Sequence, residues 1–282
     1  MTPVQTEPTT APTPAWIESL ADRSDIVDDA VLATLLVERG AALGTMLRRE
    51  PLERIRKTSI SDIVTAADHA AEEEIVAALT ALRPDDGILG EEGAARESRN
   101  GRQWIIDPID GTYNYAHEIG NWCSAIALRD NDGGLLGAVR RELTDETWVG
   151  GVTADGRPST QLNGRLLTPM PDLPLEQICL ATYLHPARIG DPNVLEPWLA
   201  AARGPATIRV LGSGSCDLAA VATGRLGAFM QSGTADWDWY PGLALVLGAG
   251  GHAQVLHHRG YRWHLAGGER TVRALADLLT GA

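Results

Sequence analysis

Apolar residues recur at helical spacing over residues 16–49, with Ile26, Val27, Ala30, Leu32, Leu35 and Leu36 as the stripe and Gly40 and Gly44 loosening its later part. A second helical pattern, introduced by Ser61-Asp62, covers 64–82 and carries Asp68 and the acidic run Glu72 to Glu74. Arg83-Pro84-Asp85-Asp86-Gly87 has the composition of a turn. Beyond it the period shortens. Ile88-Leu89-Gly90 and Trp104-Ile105-Ile106 predict short buried strands, and residues 124–128, 135–139 and 146–150 predict further strands separated by turns such as Asn131-Asp132-Gly133-Gly134. Residues 155–164 read as a polar loop ending in the hairpin signal Asn163-Gly164. The remainder predicts a strand at 178–182, a helix at 195–203, a strand at 207–211, helices at 216–223 and 241–249, and a strand at 252–257. Strands and helices mix throughout without an internal repeat, which predicts layered α and β structure.

Composition narrows the class. The chain has 282 residues, 44% of them hydrophobic, enough for a large core in one domain or two fused halves. Its 24 basic and 37 acidic residues give a formal charge of −13 with no basic block, which argues against nucleic acid and anionic membranes as partners. An acidic protein that handles an anionic substrate needs local positive charge, and bound metal is its simplest source. Cys123, Cys179 and Cys216 are scattered, so neither a disulfide framework nor a zinc site is expected, and a reducing cytoplasm fits. Residues 1–14, rich in Thr and Pro, read as a disordered tail and lack the apolar stretch of a secretory signal. The apolar run at 243–249 is too short to cross a bilayer, and a soluble cytoplasmic protein is the expectation.

The chemistry concentrates in Asp107-Pro108-Ile109-Asp110-Gly111-Thr112, where two carboxylates stand at the end of the Trp-Ile-Ile strand. Pro108 has no N–H and limits the turn, so the Ile109 carbonyl can face inward as another oxygen donor. A helix starting near Gly111-Thr112 would offer free N–H groups to an anion. Glu91-Glu92 upstream and Asp236-Trp237-Asp238 downstream supply two more acidic clusters at the edges of apolar segments. A lone Asp-Gly would read as a capped turn. The full string, with two further clusters, reads instead as a multi-metal oxygen-ligand site for hard cations such as Mg²⁺.

Together, Asp107 to Thr112, Glu91-Glu92 and Trp237-Asp238 resemble the signature set of the inositol monophosphatase family, in the right order and spacing from Lys57 to about Gly260. The resemblance implies an α-β-α-β-α sandwich, two or three Mg²⁺ ions, lithium sensitivity and a homodimer. It divides residues 15–282, one phosphatase domain, into a metal-binding half (15–165) and a substrate-specificity half (166–282). Glu91, Asp107 and the Ile109 carbonyl match the ligands of a first metal, and Asp107, Asp110 and Asp238 those of a second. A third, weaker metal would lean on Glu91 and waters. Thr112 matches the threonine that positions the attacking water, Asp68 the aspartate bonded to it, and Lys57 a lysine near the metal loop. The N–H groups of Gly111 and Thr112 would hold phosphate oxygens. Gly212, Ser213 and Gly214 match a loop that touches sugar hydroxyls.

The main departure is Gln231. It stands seven residues before Asp238, where inositol-specific members carry a glutamate. Trp239-Tyr240-Pro241 is also bulky for this position, and Tyr240 is expected to narrow or reshape the site. Neighbouring His257 and His258 diverge in a strand and read as structural, and Cys123 and Cys216 as small core residues. The reading is a Mg²⁺-dependent phosphomonoesterase. Its first expected substrate is myo-inositol 1-phosphate, then histidinol phosphate, then a 3′,5′-bisphosphate nucleotide. The alternative outside catalysis is a protein partner of the transcription machinery.

Overall fold

Residues 14–48, 54–56 and 63–282 are described by the computed structural model. Lys57, Ser61, Asp62 and the tail at 1–13 lie outside them. The expected helix over 16–49 is two helices, α1 (Ala15–Ala21) and α2 (Asp29–Leu47), with a 3₁₀ turn at Ser24–Val27 between them. Asp28 causes the break: its side chain accepts the Ala30 N–H at 2.8 Å and caps α2. Val27, read as part of the stripe, is 80% exposed.

Two short strands, β1 (Arg54–Arg56) and β2 (Ile63–Thr65), pair antiparallel, and α3 (Ala66–Leu82) follows. Then come β3 (Gly87–Gly90), β4 (Ala95–Arg96), β5 (Arg102–Asp110), α4 (Thr112–Ala116), β6 (Cys123–Asp130), β7 (Leu135–Arg141), β8 (Glu146–Val152), β9 (Pro158–Leu162) and β10 (Arg165–Leu166). These form an eight-stranded sheet in the order β10-β9-β8-β7-β6-β5-β3-β4. The polar segment read as a loop is β9, a strand near the sheet edge that buries only Thr160. Asn163 and Gly164 turn it into β10, both with positive φ, as the hairpin signal predicts.

The second sheet is built from β11 (Cys179–Tyr183), α5 (Pro192–Ala202), β12 (Thr207–Arg209), α6 (Gly214–Ala222), β13 (Ala228–Ser232), α7 (Asp236–Gly248), β14 (His252–His258), β15 (Tyr261–Gly267) and α8 (Glu269–Thr280). Its order is β12-β11-β13-β15-β14, with the first three strands parallel.

Both faces of the first sheet are covered. Leu32, Leu36, Ile75 and Leu79 of α2 and α3 bury Trp104, Ile106 and Ile126 on one side. Cys123, Ala125, Val139 and Trp148 face α6 and α7 on the other, and those helices bury Phe229 and Ala266 of the second sheet. Leu275 and Val194 of α8 and α5 close the outer face over Leu180, Met230 and Leu265. The result is the expected α-β-α-β-α sandwich. Helix α2 is long and apolar enough to span a bilayer, but here Leu32, Leu36, Val37 and Ala41 are fully buried in the first core layer. At Gly40 a Cβ would stand 2.5 Å from the Ser124 hydroxyl, so the close α2–β6 approach requires glycine.

Candidate active site

In a regular strand, residues three apart point to opposite faces. Asp107 and Asp110 do not, because β5 is bulged between them. Asp107 pairs with Ala125 and Asp110 with Cys123, so Pro108 and Ile109 together oppose Ser124. Proline suits the bulge, having no N–H to give to the ladder. Ile109 pins it, fully buried with Ala67, Tyr115 and Trp122. Gly111 then turns the chain at φ +93° into α4, where a Cβ would come within 3.0 Å of the Asn121 carbonyl.

The third acid arrives from the second half. Asp238 lies in the first turn of α7, which starts five residues earlier than the sequence pattern suggests. Pro241 therefore sits in the second turn rather than the first. One carboxylate oxygen from each of Asp107, Asp110 and Asp238 lies within 4.8 Å of the others. Glu91 follows β3 and lines the same cleft of about 640 Å³. Its N–H donates to the Ile106 carbonyl at 3.1 Å, extending the parallel β3–β5 pairing by one bond.

Each acid has a different environment. Both oxygens of Asp107 are buried without a donor among the described residues, and burial, followed by the charges of Glu91, Asp110 and Asp238, pushes its carboxyl well above the usual range. Asp110 is raised by burial too, but it accepts the Gly214 N–H at 3.1 Å and the Ser215 N–H at the N-terminus of α6. Asp68 lies behind the cleft. Its Oδ2 accepts the Thr65 N–H and hydroxyl at 2.9 and 2.5 Å, and the Thr112 hydroxyl lies 3.2 Å from its Oδ1. The same hydroxyl is 3.1 Å from the Ile109 carbonyl, so its one proton goes to either acceptor. Burial raises Asp68 to about 6.

Two further acidic residues belong to the site, beyond those to which the sequence motifs point. Glu72, read only as part of an acidic helix run, is buried and accepts the Glu92 and Ala94 N–H groups, both at 2.9 Å. It clamps the loop that carries Glu91. The signal in the sequence is Gly90, where a Cβ would stand 2.3 Å from Glu72 Oε2. Asp217, in the first turn of α6, is buried and lines the cleft.

The cleft's remaining wall collects Gly111, Thr112, Gly212, Ser213, Gly214 and Gln231, all singled out from sequence. Ser213 caps α6, its hydroxyl accepting the Cys216 N–H at 3.3 Å, and the Asn114 amide ties the loop down through the Leu211 carbonyl at 2.8 Å. Tyr240 does not line the cleft. Its hydroxyl accepts from Arg129 at 3.2 Å, under a guanidinium stacked on its ring, because the turn of α7 carries residue 240 away from 238. Asp236 pairs with Arg262 at 3.7 Å instead of joining the cluster.

Oxygen donors alone, a surplus of negative charge and a donorless buried carboxylate fit a hard divalent cation. Without one, Asp107 carries an uncompensated desolvation cost. The cluster can thus bind Mg²⁺, with Glu91, Asp107, Asp110 and Asp238 as the available side chains.

Comparison with known proteins agrees with this geometry. The inositol monophosphatase family profile matches residues 29–277. The inositol-1-monophosphatase of Bacillus subtilis is 32% identical over 228 residues, covering 79% of this chain and 83% of that protein. The Nus factor SuhB of Pseudomonas aeruginosa is 36% identical over 219 residues, 75% of this chain and 79% of that protein. Among solved structures, the extragenic suppressor protein suhB of Bartonella henselae superposes with a TM-score of 0.77 at 25% identity, covering 88% of this chain and 96% of that one. The chain belongs to the inositol monophosphatase family and is a phosphoric monoester hydrolase.

Proposed function

We propose that this enzyme hydrolyses a small polyol phosphate, myo-inositol 1-phosphate first among them, with Mg²⁺ held by the carboxylate cluster. The observation that carries the reading is Asp107, wholly buried between acids on either side and without a donor among the described residues. Glu91, Asp107 and the Ile109 carbonyl would hold one ion, and Asp107, Asp110 and Asp238 a second. Bound Mg²⁺ supplies Lewis acidity that acidifies water and offsets phosphoryl charge.

The chain's own groups do the rest. Asp68 as carboxylate accepts a hydrogen bond from the Thr112 hydroxyl, which leaves the Thr112 oxygen lone pairs to accept from an attacking water. The N–H groups of Gly111 and Thr112 stand at the start of α4, next to Asp110, and would donate to phosphate oxygens. The leaving alcohol would face Gly212–Gly214 and Gln231. The relative named inositol-1-monophosphatase supports this substrate. The relative named Nus factor supports a second reading, a partner in transcription complexes, for which a pull-down against those complexes is the test.

Glu72 acts through the loop it clamps. Glu72→Ala strands the Glu92 and Ala94 N–H groups and should raise the Mg²⁺ concentration for half-maximal phosphate release about ten-fold, as loss of a ligand's outer partner does elsewhere. A Mg²⁺ titration of the variant checks it, and an unshifted midpoint would remove Glu72 from the site.

Substrate identity is tested by phosphate release from inositol 1-phosphate, histidinol phosphate and adenosine 3′,5′-bisphosphate, each with and without Mg²⁺. The proposal expects the first to be fastest. Gln231→Glu should improve kcat/KM for inositol 1-phosphate roughly a few-fold through a charged acceptor. It should improve histidinol phosphate more, since a carboxylate can pair with the ammonium. An unaltered ratio between the two would place discrimination away from residue 231.

A further inference from the structure

The half of the cleft away from the acidic cluster is built by the second sheet. Its strands β11, β12 and β13 run parallel, and their carboxyl ends face the cleft: Tyr183 ends β11, Leu211 follows β12, and Gln231 on β13 is paired in register with Tyr183. The chain leaves β11 through α5, on the outer face, and leaves β12 through α6, on the inner face. Neighbouring strands whose connections depart to opposite faces open a crevice between them, the place where α/β sheets take ligands.

Asp217 projects into this crevice from α6. It is 5% exposed, and its Oδ1 is buried with no donor among the described residues. That is a costly state. A carboxylate buried this deeply is normally bonded by a protein donor, as Asp110 and Glu72 are. Burial and the charge of Asp110 raise its carboxyl, and the charge of Arg141 partly offsets this.

Its distance from the reacting centre suits a leaving group. Gly214, at the start of the same helix, stands beside the acid cluster: a Cβ there would be 3.2 Å from the Asp238 carbonyl and 4.0 Å from Asp110 Oδ2. Asp217 is three residues further on, so it lies about 5–6 Å along the same helix face. A hydroxyl one or two carbons from a phosphorylated carbon spans that gap.

We propose that Asp217 is a specificity-determining residue that accepts a hydrogen bond from a hydroxyl of the leaving alcohol. The enzyme thereby selects phosphorylated polyols over phosphate esters of simple alcohols. This rests on the phosphatase reading above.

The test pairs two esters of the same ring, myo-inositol 1-phosphate and cyclohexyl phosphate, on wild type, Asp217→Ala and the isosteric Asp217→Asn. The ratio of kcat/KM values, inositol ester over cyclohexyl ester, should fall about ten-fold in Asp217→Ala, since an acceptor buried in the site is lost and the substrate hydroxyl is left unpaired. It should fall less in Asp217→Asn, whose amide oxygen still accepts. Equal losses on both esters, or an unaltered ratio, overturn the proposal. Calorimetric binding of both esters, with Ca²⁺ replacing Mg²⁺, separates this claim from the reaction itself. If wild type turns over neither ester, the phosphatase reading fails. Asp217 is then judged by binding alone: a preference for the inositol ester that Asp217→Ala abolishes supports it, and equal affinities in wild type and variant sink it.

Discussion

Asp107→Asn should abolish Mg²⁺-dependent turnover, by about 10³-fold or more if the residue bridges two ions, while making the metal-free protein more stable. The two effects have one cause. The Asp107 carboxyl is buried without a donor among the described residues and surrounded by Glu91, Asp110 and Asp238, so the metal-free fold must either hold its proton at neutral pH or ionise it at high cost. An amide of the same shape removes that charge. Relief of about 1–2 kcal/mol is expected, which for a chain of this size raises Tm by about 2–8 °C in EDTA. The same substitution should remove most of the Tm gain on adding Mg²⁺. Differential scanning calorimetry with and without Mg²⁺, beside a phosphate-release assay, measures all three quantities. A folded Asp107→Asn enzyme with near-normal turnover would exclude the bridging role. Loss of turnover with a lowered Tm in EDTA would mark the residue as structural.

The second large effect is on pH. Asp68 titrates near 6 in the fold against 3.8 unprotected, and Asp107, Asp110 and Asp217 are shifted in the same upward direction. For such groups stability is fully present below the unfolded value, where both states hold the proton. It is lost as pH rises from the unfolded value through the folded value, because the unfolded chain releases a proton that the buried acid still holds. The acids shifted downward are the exposed Asp25 and Asp155 and the part-buried Asp191 and Glu146, and they act below the ordinary carboxylate range. Between pH 5 and 7.5 the upward-shifted groups therefore dominate. Asp68 alone accounts for about 1 kcal/mol over that interval. In EDTA, Tm should fall as pH rises from 5 to 7.5. Saturating Mg²⁺ should cancel the fall, so the Mg²⁺-induced gain in Tm is larger at 7.5 than at 5. Equal gains at both pH values would mean that the buried acids and the metal do not share a site.

How much of this was legible in the sequence follows from how local each feature is. The strand that carries Asp107 and the turn at Gly111 announce themselves, because an apolar run stops at an acid and glycine is needed where φ is positive. The motif marks Asp238, although α7 begins earlier than its apolar stretch: Asp236 and Asp238 occupy a half-buried polar first turn, where apolar periodicity carries no signal. The stripe over 16–49 predicts one continuous helix because Ile26 and Val27 fit it. Only the Asp28 cap, together with the exposure of Val27, shows the break.

Glu72 and Asp217 were opaque for a different reason. Each lies on a helix, and nothing local distinguishes a buried carboxylate from a solvated one. What buries Glu72 is the loop at Glu92 and Ala94, twenty and twenty-two residues away. What surrounds Asp217 is a cleft assembled from both sheets. Tyr240 misled in the opposite sense. Adjacent to Asp238 but one, it looked like part of the wall, yet the helical turn aims it at Arg129.

The central claim is that the Asp107–Asp110–Asp238 cluster is a Mg²⁺-dependent phosphatase centre, and the most direct test is phosphate release from myo-inositol 1-phosphate by enzyme stripped with EDTA and titrated with Mg²⁺. The account predicts no measurable release in the stripped enzyme and a saturable return of activity with Mg²⁺ that KCl at matched ionic strength does not reproduce. Release that persists unaltered in the stripped enzyme, or stays absent at every Mg²⁺ concentration, would contradict it.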